Sequence, residues 1–207
     1  MALVFQVLKS MDNQQIRSFI AIELPKELKC GLIQLQNELK STRYSFVKWV
    51  APEDIHLTLK FLGNIAIHKV DEVIESIDKA SEGIWRFQLE TTDLGVFPNL
   101  RSPKVFWLGV GGSLDALIAL QKRIDDVLEP MGFVAEKRNF TPHLTLARMR
   151  ESASSQNRRD FAELIAKTHF DIKYKIEVNS VSLMMSQLLP SGAVYSRLAE
   201  VKLRSLR

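Results

Sequence analysis

Only four histidines occur in this 207-residue chain, and two of them open the same tetrapeptide, His-Leu-Thr-Leu, at His56 to Leu59 and again at His143 to Leu146. Histidine is the side chain that gives or takes a proton near neutral pH, and a hydroxyl two residues later can hold an oxygen of the reacting group. Side chains on a strand alternate between faces, so each copy presents His and Thr on one face and two leucines on the other. The first copy predicts His56, Thr58 and Lys60 facing a cleft or solvent, with Leu57, Leu59 and Phe61 entering a core. The second predicts Leu144 and Leu146 buried behind His143 and Thr145. A single His-x-Thr is ordinarily a half-buried histidine satisfied by a neighbour. Threonine is scarce here, seven residues in all, so an identical second copy is hard to assign to chance. Two imidazoles and two hydroxyls converging on one cleft suit a phosphate, one imidazole taking a proton and the other giving one.

The elements that must position these residues can be read along the chain. Phe19 to Glu23 is an apolar strand, followed by a helix from Pro25 or Lys26 to about Lys40 with Leu28, Leu32, Leu35 and Leu39 at helical spacing. Pro25 is tolerated at a helix start, where the missing N–H has no helical partner. A short apolar piece, Phe46 to Val50, and a Pro52-Glu53-Asp54 turn deliver the first motif strand, which ends at Gly63. A second helix spans about Lys69 to Ala80. Strands then lie at Phe87 to Leu94 and Lys104 to Val110, and Gly109, Gly111 and Gly112 read as a turn. Neither phosphate-loop glycine spacing is present there. A third helix runs from a Ser113 N-cap to Leu128, and the second motif strand begins after Thr141-Pro142. The polar stretch Glu151 to Asn157 precedes a short helix through Phe161, Leu164 and Ile165. Strands at Lys173 to Val178, Ser180 to Gln187 and Val194 to Leu203 follow, with a Pro190-Ser191-Gly192 turn between the last two. This mixed, hairpin-rich order predicts an α+β fold with antiparallel sheets.

Composition narrows the setting. With 46% hydrophobic and 25% charged residues the chain reads as an ordinary globular protein of one domain or two closely packed halves. The lone cysteine, Cys30, excludes an internal disulfide and a cysteine zinc cluster, fits a reducing compartment, and is expected as a buried or semi-buried structural thiol. A net charge of +4 weakly favours an anionic partner. Ala2 to Leu8 is too short to cross a bilayer and lacks the layout of a secretory signal, so the expected location is cytoplasmic. Met11 is an alternative start. No long exposed apolar stripe calls for a partner chain, and a monomer is expected. His68 and His169 are expected at helix ends on the surface, and a zinc site built from His56 and His143 would lack the third protein ligand such sites use. Phe97, Phe106, Trp49 and Trp107 are candidates for stacking a base, core packing being the commoner role of such rings.

The segments Trp49 to Gly63 (Trp-Val-Ala-Pro-Glu-Asp-Ile-His-Leu-Thr-Leu-Lys-Phe-Leu-Gly) and Phe140 to Arg148 (Phe-Thr-Pro-His-Leu-Thr-Leu-Ala-Arg) resemble the 2H phosphoesterases. The closest likeness is to their bacterial and archaeal RNA 2',3'-cyclic phosphodiesterase group, whose N-terminus Arg17 to Pro25 also resembles. The resemblance covers about residues 17–203. It implies a bilobed, pseudo-twofold 2H phosphoesterase fold: two antiparallel sheets flank a central cleft, helices lie outside, and residues 17–207 form one domain after an extension of residues 1–16. It implies no metal or organic cofactor, and a partner that is RNA ending in a 2',3'-cyclic phosphate or a small nucleotide. The implied reaction opens that ring to a 2'-phosphate, with reversible 2',5' ligation in some members. His56 is the general acid and His143 the general base by position in the family pattern, a division the two identical motifs cannot make by themselves. Thr58, Thr145 and Arg148 would bind phosphate oxygens. Arg148 lies five residues after His143, so simple alternation puts it on the wrong face, and only a bulge or strand end would bring it round. Hydrolysis of another cyclic or 2',5' phosphodiester, and nucleotide or RNA binding without catalysis, are the alternatives.

Overall fold

The computed structural model describes residues 14–40, 44–189 and 192–205. The expectations for Ala2 to Leu8 and Met11 lie outside these residues. The described elements run in the order β1 (Gln15–Glu23), α1 (Lys26–Lys40), β2 (Val47–Trp49), β3 (His56–Ala66), α2 (Val70–Ser81), β4 (Phe87–Phe97), β5 (Val105–Gly112), α3 (Leu114–Leu128), β6 (His143–Met149), α4 (Ser155–Lys167), β7 (Lys175–Val178), β8 (Ser180–Leu189) and β9 (Gly192–Lys202). Single 3-10 turns precede β3 and α2 and follow α3.

The helices form where apolar residues recur every three or four positions. In α1 the residues Leu28, Leu32, Leu35 and Leu39 are buried, and in α3 Leu117, Leu120, Ile124 and Leu128 are. Ser113 occupies the N-cap position of α3 but its hydroxyl makes no cap bond. Ser154 caps α4, its Oγ accepting from the Asn157 N–H at 3.1 Å, so part of the polar stretch Glu151 to Asn157 already belongs to a helix. Gln36 of α1 donates from Nε2 to the Val50 carbonyl at 2.8 Å and the Leu146 carbonyl at 3.4 Å. A buried amide thereby ties that helix to the second motif strand.

The strands pair antiparallel in the order β7-β4-β5-β6-β3-β1-β8-β9, with β2 added alongside β6. Two four-stranded arms are visible in that order, each ending at the centre in a motif strand. They join through one register pair, Leu57 opposite Leu144. Beyond it β3 parts from β6, and β2 takes its place along Ala147, Arg148 and Met149. The last two strands of the chain, β8 and β9, cross back to pair with β1 and complete the arm that holds β3. The lobes are therefore interlocked rather than strung in series.

One core cluster lies between the sheet and all four helices. It includes Leu57, Leu59, Leu144 and Leu146, each no more than 3% exposed. Gly109, Gly111 and Gly112 are part of strand β5, which corrects the turn expected from them. The reason is close approach: a Cβ on Gly109 would lie 2.3 Å from Thr92 Oγ1, and Gly112 has φ +90°. The turn at Pro190-Ser191-Gly192 lies partly outside the described residues, although β8 and β9 pair up to Leu189 and Gly192. Cys30 is exposed on α1, because it sits between buried Leu28 and Leu32 on the opposite side of the helix. The expectation of a buried thiol is corrected accordingly.

Truncating the joint should be costly. Leu57→Ala or Leu144→Ala should destabilise the protein by about 2–5 kcal/mol in urea titrations, since each removes a fully buried side chain at the meeting point of the arms. Cys30 in the native protein should react with an aromatic disulfide reagent as fast as in the unfolded chain; strong native protection would contradict its exposed placement.

Candidate active site

The register at the joint sets the cleft. With Leu57 opposite Leu144 in antiparallel strands, His56 faces Thr145 and Thr58 faces His143 across the joint. All four side chains lie on the face away from the leucines. Directly opposed residues in such a pair are roughly 5 Å apart and diagonal ones, as His56 and His143 are, roughly 7–8 Å. That leaves room for one phosphate between the imidazoles.

The two rings are held alike. His56 Nδ1 lies 2.8 Å from the Asp54 carbonyl and His143 Nδ1 lies 2.8 Å from the Thr141 carbonyl. A carbonyl only accepts, so each Nδ1 carries the proton and each neutral ring keeps its lone pair on Nε2. Both carbonyls sit two residues before their histidine. In the first lobe the Pro52–Asp54 turn sets that position; in the second, Pro142 restricts Thr141 to extended backbone.

The fourth residue of each motif is a β-bulge. Along β1 the partners of Ile20 and Ala21 are Lys60 and Thr58, which skips Leu59. Along β5 the partners of Phe106 and Trp107 are Ala147 and Thr145, which skips Leu146. An extra residue reverses the alternation beyond it. Lys60, expected in cleft or solvent, is therefore 5% exposed, and Phe61, expected in the core, is 56% exposed. By the same step Ala147 is buried and Arg148 turns to the face of His143, where both line one cavity with Thr58. Phe61 and Arg148 hold equivalent positions, five residues after their histidines.

Lys60 is held in the interior by pairing. Its Nζ donates to Asp125 Oδ1 at 2.5 Å and to the Val134 carbonyl at 3.2 Å, and Gln121 Nε2 donates to Asp125 Oδ2 at 2.6 Å. The pair ties β3 to α3 and to the chain leading to Thr141.

The halves differ around the rings. Phe19 stacks on His56 with ring centroids 4.4 Å apart, and Tyr195 meets the same ring edge-on at 5.2 Å. Neither residue was singled out by motif; Phe19 stands in an apolar strand and Tyr195 on β9, so only pairing reveals them. Glu23 closes the same side, accepting from Ser182 Oγ at 2.6 Å and Arg197 Nη1 at 3.0 Å. Beside His143 stands Phe97, edge-on at 5.0 Å. Of the other three candidate stacking rings, Phe106 is 1% exposed and Trp49 packs edge-on against it. Trp107 lies beside Gly95, where a Cβ would fall 2.3 Å from its ring.

Burial pushes the His56 imidazolium down to about 4, opposed by the Asp54 carbonyl and the Glu23 carboxylate and reinforced by Lys29. His143 is also lowered, first by burial, against the Thr141 carbonyl, with Arg148 adding to the shift. Burial raises the Tyr195 phenol as well. Glu23 therefore favours a proton on His56 while Arg148 opposes one on His143. His68 and His169 are exposed, at the turn before α2 and just beyond α4. Among the described residues no three His, Cys, Asp or Glu side chains gather as a metal would need, and no helix is long and apolar enough to cross a membrane.

Comparison with known proteins agrees with this geometry. An RNA 2',3'-cyclic phosphodiesterase of Methanothermobacter thermautotrophicus is 34% identical over 182 residues, covering 88% of this chain and 96% of that one. Another of that name from Aeropyrum pernix is 35% identical over 159 residues, covering 77% and 88%. Escherichia coli LigT in complex with 3'-AMP superposes with a TM-score of 0.74 at 25% identity, covering 92% and 99%. The model of the LigT-like phosphoesterases matches twice, at residues 22–107 and 110–195, each stretch holding one His-Leu-Thr-Leu. This chain is a member of the LigT-like phosphoesterase family.

Proposed function

We propose that this protein hydrolyses the 2',3'-cyclic phosphate at an RNA end to a 2'-phosphate, with His56 as general acid and His143 as general base. The observation that carries this reading is the pair of imidazoles, each anchored through Nδ1 and each facing the other motif's threonine. Water attacks phosphorus in line with the 3'-oxygen; its proton passes to Nε2 of His143 as the P–O3' bond breaks. Nε2–H of His56 supplies the proton to the departing O3'. Thr58 and Thr145 hold the non-bridging oxygens, and Arg148 offsets the charge gathering on them. These transfers require no metal or organic cofactor. With a ribose 5'-hydroxyl in the place of water the same transfers, in the same direction, join RNA ends through a 2',5' linkage as the P–O3' bond breaks.

The charges beside the rings support the division of labour. Glu23 favours an imidazolium at His56 against burial, and at His143 burial lowers the imidazolium with Arg148 adding to the shift. At His56 itself burial outweighs Glu23. A bound phosphate anion between the rings shifts the balance, since an opposite charge within a few ångströms favours the protonated form. We read residues 17–207 as one domain of two lobes, monomeric and cytoplasmic; the interlocked strands and the lone thiol support this.

The deciding experiment incubates EDTA-treated enzyme with an oligoribonucleotide ending in a 2',3'-cyclic phosphate and locates the product phosphate. A 2'-phosphate is expected; no turnover, or a 3'-phosphate, contradicts the proposal. His56→Ala and His143→Ala should each lower kcat by about 10²–10⁴, while nucleotide binding without turnover in the native protein would mark a binding module. The His56 ring should titrate near 4 by NMR in the free protein and at higher pH once a 2'-nucleotide is bound. Because unfolded His56 takes up its proton near pH 6.5 and folded His56 only near 4, stability should fall as pH drops through that window. His56→Gln should flatten the slope.

A further inference from the structure

The two sides of the cleft differ in size and in the state of their cations. The cavity beside His56 has a volume of about 350 Å³ and contains Lys29 and Arg197. Both are committed, Lys29 to Glu53 at 3.1 Å and Arg197 to Glu23 at 3.0 Å. The cavity beside His143 has a volume of about 860 Å³. There Lys60 is neutralised by Asp125, while Lys104, Arg138 and Arg148 line the walls beside one exposed carboxylate, Glu136, and none of the three forms an ion pair among the described residues. Arg148 stands next to the reacting phosphate; Lys104 and Arg138 have no part in the proton chemistry. The same walls carry Phe61, a large ring 56% exposed, and Phe97. Phe61 replaces Arg148 at the equivalent position of the other lobe, so the half-sites are alike in their histidines and unlike in what they offer beyond them. Unpaired cations interleaved with open aromatic faces are the pattern that holds single-stranded nucleic acid, the cations on the backbone and the rings under bases.

We propose that the cavity beside His143 is a single-strand subsite, in which Lys104 and Arg138 hold a second RNA phosphate, beyond the reacting one, and Phe61 and Phe97 support a base. The ligand is a ribonucleotide phosphodiester. It can be supplied by the substrate's own chain or by a second strand whose 5'-hydroxyl stands where water attacks. The subsite rests on the proposed hydrolysis and makes an oligonucleotide, rather than a mononucleotide, the preferred substrate.

The test compares a 2',3'-cyclic mononucleotide with a short oligoribonucleotide ending in the same group, using the native protein, Lys104→Ala/Arg138→Ala and Phe61→Ala. All three residues are exposed, and a thermal melt confirms folding of each variant. The native protein should show the lower KM for the oligonucleotide. In either variant the ratio of the two KM values should collapse by roughly tenfold, the scale of a lost stacking partner. The double variant should also lose salt dependence, the slope of log KM against log salt falling by roughly 0.7 for each phosphate contact removed. A parallel reaction offers a 5'-hydroxyl oligonucleotide as acceptor. Selective loss of transfer to it places the attacking strand in the cavity; selective loss of oligonucleotide hydrolysis places the substrate's own chain there. Equal KM values for both substrates in the native protein, or equal effects of the variants on both, overturn the subsite. If the native protein turns over neither substrate, the hydrolytic reading fails instead. The subsite then stands or falls on whether the double variant weakens binding of an oligonucleotide ending in a 2'-phosphate.

Discussion

Everything in the cleft depends on one contact between strands, the pairing of Leu57 with Leu144. These two leucines are fully buried where the arms meet, and by alternation they fix which face the histidines and threonines occupy. The pairing also sets a spacing. A slip of either strand by one residue would turn its own imidazole into the core, and a shift by two would separate each histidine from the threonine it faces. The motif therefore encodes an assembly instruction as much as a chemical one: its leucines bring the half-sites into register.

The second constraint is the bulge at Leu59 and Leu146. Without it each motif strand would continue its alternation, putting Lys60 in the cleft and Arg148 behind it. With it a cation disappears into the interior of one lobe and another emerges in the second. Burying Lys60 carries a desolvation cost that its pairing with Asp125 and its bond to the Val134 carbonyl offset. That pairing in turn holds the chain that ends at Thr141, whose carbonyl orients His143. The two lobes are coupled through this path as well as through the sheet.

The pseudo-twofold symmetry is one of scaffold and not of charge. Both rings are anchored identically through Nδ1, yet one is stacked on Phe19 beside Glu23 and the other stands open beside Arg148 and Phe97. Identical half-sites would have no electrostatic reason to divide acid from base work. Their surroundings, recruited from β1, β8 and β9 on one side and from β4 and β6 on the other, supply the difference.

Much of this was legible in the residues. Helical periodicity located α1, α2 and α3 to within a residue or two, and alternation in His-Leu-Thr-Leu assigned Leu57, Leu59, Leu144 and Leu146 to the core and the histidines to a shared cleft. What failed did so for nonlocal reasons. Gly109 to Gly112 resembled a turn because glycine is common in turns, whereas here the approach of Thr92 from β4 requires it. Cys30 was expected inside although its helix turns it outward. Phe61 and Lys60 exchanged places because a bulge depends on which partner strand skips a residue, and the pairing of β3 with β1 is invisible within either. The sequence by itself determined the half-sites, since alternation and burial act within a few residues. Only the tertiary structure decided their register, the side on which Arg148 emerges and the unequal charges around the two imidazoles, because each depends on strands far apart in the chain.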